Sequence, residues 1–105
     1  MKRLTFILSA MGLALAATSS WAATPDEAMG KAGCVACHAK DKKLVGPAFK
    51  DIAAKYKGQD VVAKLTDKVR KGGSGVWGPI PMPPNGADKI SDADLKAVIE
   101  SILKS

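Results

Sequence analysis

The sequence predicts an all-α fold of four to five short helices. Three observations carry this expectation. Apolar residues recur at helical spacing in four stretches, each bounded by capping or breaking residues. No alternating strand pattern of useful length occurs. Both cysteines and the single histidine fall in one pentapeptide, Cys34-Val35-Ala36-Cys37-His38. A domain this small builds only a marginal core from its own side chains, so a group held by that pentapeptide would supply what the core lacks.

The helices come in order along the chain. Thr24 caps the first, Pro25 suits its first position, Glu27 can reach back as a capping box, and Gly33 ends it. The second begins at Pro47 or Ala48 and runs to Lys57, stopped by Gly58, with Phe49, Ile52, Ala53 and Tyr56 on one face. Asp60 opens the third, which turns Val61, Val62, Leu65 and Val69 inward and ends at Gly72-Gly73. Ser91 caps the last, whose apolar stripe is Leu95, Val98, Ile99, Ile102 and Leu103. Residues 72–89 are too rich in Gly and Pro for a regular element. Val76, Trp77, Ile80 and Met82 give this long connection apolar content that needs something to pack against.

The chain opens on Met1-Lys2-Arg3, continues apolar from Leu4 to Thr18, and reaches small residues at Ser20 and Ala22. That is the pattern of a secretory signal peptide, expected to be cleaved after Ala22. The run is short for a membrane span, which needs ~20 residues. The expected organisation is therefore a signal at 1–22, one domain at 23–105, and a periplasmic location. Losing Lys2 and Arg3 lowers the net charge from +6 to +4. This mild excess suits acidic protein partners or solubility and is too weak to argue nucleic-acid binding.

C-x-x-C-H is the attachment pattern of a c-type haem. Two thiols add to the two porphyrin vinyl groups, and the following imidazole meets the iron. The spacing lets both sulfurs reach one edge of a flat ring while His38 sits at its face. A thiol–disulfide oxidoreductase would use the same cysteines but sits in a βαβ context, which is missing. Structural zinc needs four ligands, and only three thiol or imidazole groups exist. A helical binding module without haem is the remaining reading outside haem chemistry. The sixth iron ligand has one candidate by elimination: Met1 and Met11 leave with the signal, Met29 lies close to Cys34 on the proximal side, and Met82 remains. Pro81, Pro83 and Pro84 restrict the backbone around it, and a His/Met pair is a known haem ligation that raises the potential.

With Gly33 to His38, Val45 to Phe49 and Gly75 to Asn85 considered together, the chain closely resembles the small bacterial monohaem class I cytochromes c of the c-551/c-552 type. The resemblance covers nearly all of residues 23–105. It implies a cytochrome c fold wrapped around one covalent haem, with no catalytic group. It implies a periplasmic single-electron carrier between redox proteins such as a terminal oxidase, a nitrite reductase or a quinol-oxidising complex; a chain of this size is expected to be a monomer. It also implies that the Pro47 carbonyl accepts the Nδ1–H of His38, that the Trp77 indole meets a haem propionate, and that Asn85 bonds the Met82 sulfur.

The chain departs from its relatives in places. Lys68 stands where some carry a propionate-pairing arginine, a point charge for a planar fork. Met29 and Ser101 stand where they usually place aromatics, which implies lower stability than theirs. The turn at 86–89 is slightly longer. With both axial positions filled, the iron would cycle without bond making. Lys31, Lys40, Lys42 and Lys43 would ring the exposed haem edge beside Val35 and Ala36 and steer an acidic partner. The competing function is a haem-based sensor or a peroxidase-like protein with a labile sixth ligand.

Overall fold

The computed structural model describes Gly12 and residues 23–105; the signal expected at 1–22 otherwise lies outside the described residues. Four α-helices, one 3-10 turn and one small hairpin make up the described chain. In order they are α1 (Pro25–Ala32), the turn Cys34–Ala36, α2 (Phe49–Lys55), α3 (Val62–Lys71), β1 (Gly73–Gly75), β2 (Gly78–Met82) and α4 (Asp92–Leu103). No helix among the described residues is long and apolar enough to cross a membrane.

Local chemistry explains the helix ends. Thr24 Oγ1 accepts from the Glu27 N–H at 3.2 Å, and Ser91 Oγ accepts from the Asp94 N–H at 3.2 Å, so each cap satisfies a donor that the first turn leaves free. Gly33 ends α1 at φ 82°, a left-handed conformation that a Cβ disfavours, and turns the chain directly into the cysteine pair. α2 is shorter than expected at its C-terminal end: Tyr56 caps it, and residues 56–58 form a turn. α3 starts two residues later than Asp60 implies. Val61, at φ −122° and ψ 11°, lies outside the helix and is buried as its N-cap residue.

α4 packs against α1, α2 and α3. Its stripe is where the sequence places it: Leu95, Val98 and Ile99 join Ala28, Met29, Phe49 and Ile90 in the buried core, with Ile102 and Leu103 packed at its margin. Burying a Leu- or Ile-sized side chain contributes about 1.5–3 kcal/mol, so this row is the main apolar support of the helices.

The expectation that residues 72–89 hold no regular element is corrected by the hairpin. β1 and β2 pair antiparallel, Gly73 with Met82 and Gly75 with Gly78, through an irregular register. Glycine makes this possible: Gly73, Gly75 and Gly78 all take positive φ. Pro79 and Pro81 cannot donate, but their two-residue spacing puts both on one edge of a two-stranded ribbon, where no partner needs them. The hairpin delivers Met82 to the end of a paired strand.

Candidate haem site

A cavity of about 340 Å³ opens between the helices and the hairpin. Cys34, Cys37, His38, Pro47, Trp77, Met82 and Asn85 all line it, so the structure brings together every site residue expected from the sequence. The rest of its wall is largely apolar, with Phe49, Ile52, Leu65, Val69, Leu95, Val98 and Ile99 among its members.

The proximal side is held by backbone. The cysteine turn closes with His38 N–H on the Cys34 carbonyl at 2.9 Å and Cys37 N–H on the same carbonyl at 3.2 Å. Gly46 N–H donates to the Cys37 carbonyl at 2.7 Å, and Phe49 N–H to the Ala39 carbonyl at 2.9 Å, so the segment after the histidine folds back beside it. His38 Nδ1–H donates to the Pro47 carbonyl at 2.7 Å. That bond leaves Nε2 with its lone pair free for a metal. The Phe49 ring stacks on the imidazole, centroids 5.4 Å apart and planes 21° from parallel. Gly46 is required here by contact: a Cβ on it would lie 2.5 Å from His38 Cε1.

Burial, and then the neighbouring Cys37, push the Cys34 thiol above its ordinary range, more than a local backbone hydrogen bond lowers it. A low-pKa redox nucleophile would need the opposite shift at this thiol. No cluster of three or more His, Cys, Asp and Glu suited to a metal ion occurs among the described residues.

The distal side is formed by the hairpin and by residues 83–85 after it. A Cβ on Gly72 would collide with the Met82 carbonyl, so the end of α3 approaches the strand as closely as glycine permits. Asn85 is buried; its N–H donates to the Val69 carbonyl at 2.9 Å and its side-chain amide to the Pro83 carbonyl at 3.1 Å. An Asn amide has two N–H donors, so one remains for a thioether. Trp77 is 41% exposed at the cavity wall, with the Lys55 ammonium 5.5 Å from its ring centroid. Lys68 also lines the cavity, with Lys43 and Asp51, and a Cβ on Gly73 would sit 3.2 Å from Lys68 Nζ. Lys43 and Lys68 thus bring positive charge to the cavity wall, and Asp51 negative charge.

This set fits a c-type haem: two thiols and an imidazole on one short turn, an orienting carbonyl behind the imidazole, an apolar slot, and a thioether on a separate element lining the same slot. Two participants were not foreseen from the sequence. Gly46 makes room for His38. Arg70, on α3, bonds the carbonyls of Asn85 and Ile90. Its only sequence signal is that it is the sole arginine in residues 23–105, among many lysines.

Comparison with known proteins agrees with this chemistry. The family model for cytochrome c matches residues 24–105. The chain is 47% identical to cytochrome c-551 of Pseudomonas aeruginosa over 90 residues, 85% of this chain and 84% of that one. It is 55% identical to cytochrome c-552 of Nitrosomonas europaea over 74 residues, 70% of each chain. The crystal structure of wild-type Nitrosomonas europaea cytochrome c552 superposes with a TM-score of 0.68 at 50% identity, covering 75% of this chain and 96% of that one. The chain belongs to the cytochrome c family, as a small class I monohaem protein that carries electrons on one covalently bound haem c and is not an enzyme.

Proposed function

We propose that this chain is a periplasmic single-electron carrier in which His38 and Met82 are the two axial ligands of the haem iron. The observation that carries the reading is that one apolar cavity collects the Cys34/Cys37/His38 turn and the strand-borne Met82. Bound haem supplies the Fe(III)/Fe(II) couple, attached through thioethers at Cys34 and Cys37.

The residues then divide the work. Pro47 orients His38 and makes it a better donor. Met82, between prolines and at the end of a paired strand, occupies the sixth position with little conformational freedom to lose. Asn85 steadies the residues after Met82 and offers its remaining N–H to the sulfur, and Trp77 offers its indole N–H to a propionate. With His38 and Met82 both engaged, bound haem would exchange electrons without bond making, and the largely apolar wall would limit water around it and favour a higher potential.

Residues 1–22 serve as the export signal, which agrees with a haem attached outside the cytoplasm. Val35 is 56% exposed beside the cysteine pair, and Lys31, Lys40, Lys42 and Lys43, on the segments before and after it in the chain, are exposed as well. This surface suits an acidic redox partner of the respiratory chain, of the kind formed by a terminal oxidase, a nitrite reductase or a quinol-oxidising complex.

Carbon monoxide tests the ligation. The reduced protein should resist it at concentrations that saturate Met82→Ala. Equal saturation of both would replace the carrier reading with a labile-site haem protein.

A further inference from the structure

Arg70 has no part in the site as the sequence predicts it, yet its guanidinium touches three separate points. One nitrogen, Nη1, bonds the Asn85 carbonyl at 3.3 Å and the Ile90 carbonyl at 2.8 Å; the other, Nη2, meets Asp92 Oδ1 at 2.6 Å. The Arg70 side chain is only 20% exposed, whereas that of Asp92 is 92% exposed. The ion pair is therefore largely solvated and contributes little. The two carbonyl bonds lie on the shielded side, and they are the unusual part.

Both bonds close on the segment that leaves Met82. Asn85 is gripped twice by α3: its N–H by the Val69 carbonyl, a helix-end acceptor otherwise without an intrahelical donor, and its C=O by Arg70. Ile90 is buried in the core and opens the way into α4. The turn at 86–89 is thus pinned at both ends by one guanidinium nitrogen. A lysine is shorter, and its one ammonium, on a flexible stem, would have to serve both carbonyls and Asp92 without the planar guanidinium that fixes Nη1 between them.

We propose that Arg70 is a positioning residue for the sixth ligand: it locks the loop from Met82 to Ile90 onto α3 and so suppresses the opening through which Met82 would leave the iron. This rests on Met82 being that ligand. Replacement of a bound thioether by an outside ligand requires the loop to open locally, and local opening is governed by the bonds that hold the segment. In this chain the backbone supplies the Gly73–Met82 pairing and the Asn85–Val69 bond, and among the described residues the side-chain bonds from α3 to the loop are those of Arg70.

The test uses the ferric holoprotein and imidazole as the probe. Affinity and binding rate are followed by loss of the long-wavelength Met–iron band in the natural chain, Arg70→Lys, Arg70→Met and Asp92→Asn, and by the shift of the main haem absorption band in all of these and in Met82→Ala, the open-site reference. Arg70→Lys keeps the charge and most of the stem, so it carries the test if Arg70→Met fails to mature. Both Arg70 variants should bind imidazole at least fivefold faster and more tightly than the natural chain, while Asp92→Asn stays within twofold. A natural rate in the Arg70 variants, even with a lower melting temperature, would reduce Arg70 to a structural residue and overturn the proposal alone. Binding to the natural chain as fast as to Met82→Ala would overturn both the proposal and the ligation it rests on.

Discussion

Replacing Ser101 by Trp should stabilise the protein. A second hollow of about 340 Å³ lies on the outer side of α1 and α4, lined by Met29, Phe49, Ser101 and Ile102 with Asp26, Lys40, Asp41 and Lys50 at its polar edge. The two positions where the family resemblance implies aromatics are not equivalent. Met29 is 4% exposed and packed into the core, so its thioether already fills its place; Ser101 leaves the hollow beside it. An indole seated there would cover about 150–250 Å², which at about 25 cal/mol per Å² corresponds to roughly 4–6 kcal/mol as an upper bound. Three effects reduce this: the hollow is open on one side, the unfolded chain already buries part of the ring, and about 1 kcal/mol of rotamer freedom is lost. Helix propensity is neutral, since Trp and Ser rank together. A net gain of about 1–2 kcal/mol remains, or roughly 4–15 °C in melting temperature for a domain of this size. Guanidinium unfolding of the holoprotein, followed at the haem band, measures it, with Ser101→Ala as a control expected within about 0.5 kcal/mol of the natural chain. A Ser101→Trp variant no more stable than that control would show that the hollow is not an aromatic socket.

Three further outcomes are expected from contacts in the structure. Gly46→Ala forces the His38 ring to move, because the new Cβ would sit 2.5 Å from Cε1; the bond to Pro47 weakens, His38 becomes a poorer donor, and the reduction potential should rise. An unchanged potential by spectroelectrochemistry would show that Pro47 does not tune the ligand. Leu95→Ala, at a core site 1% exposed, should cost about 2–5 kcal/mol in guanidinium unfolding, and a loss below about 1 kcal/mol would place the core elsewhere. Raising ionic strength should slow electron transfer to an acidic partner, and charge-neutralising Lys40 and Lys43 together should flatten that dependence; a rate indifferent to salt would remove the lysines from docking.

What the sequence disclosed was mostly local. Thr24 and Ser91 cap helices through bonds to residues three positions on, and the Leu95, Val98, Ile99 stripe is a spacing rule, so both are legible one segment at a time. Met82 could be singled out as a cavity residue because few thioethers lie in residues 23–105, and it does line the cavity. The hairpin was not legible, because Gly73, Gly75, Gly78, Pro79 and Pro81 are residue types that strands ordinarily avoid. Its pairing depends on positive φ at the glycines and on a free edge at the prolines. Arg70 was hidden for a different reason: its carbonyl partners lie 15 and 20 residues away, and nothing in the local sequence points to them. Gly46 likewise has a meaning only once His38 is folded back beside it.

The central claim is that Met82 completes the iron's coordination opposite His38. The absorption spectrum of the ferric holoprotein, extended to the weak long-wavelength band of Met–iron ligation, tests it most directly. The band should be present in the natural chain and absent in Met82→Ala, with the haem still covalently attached in both. A natural chain without the band, or a variant that retains it, would contradict the assignment of Met82 as the sixth ligand.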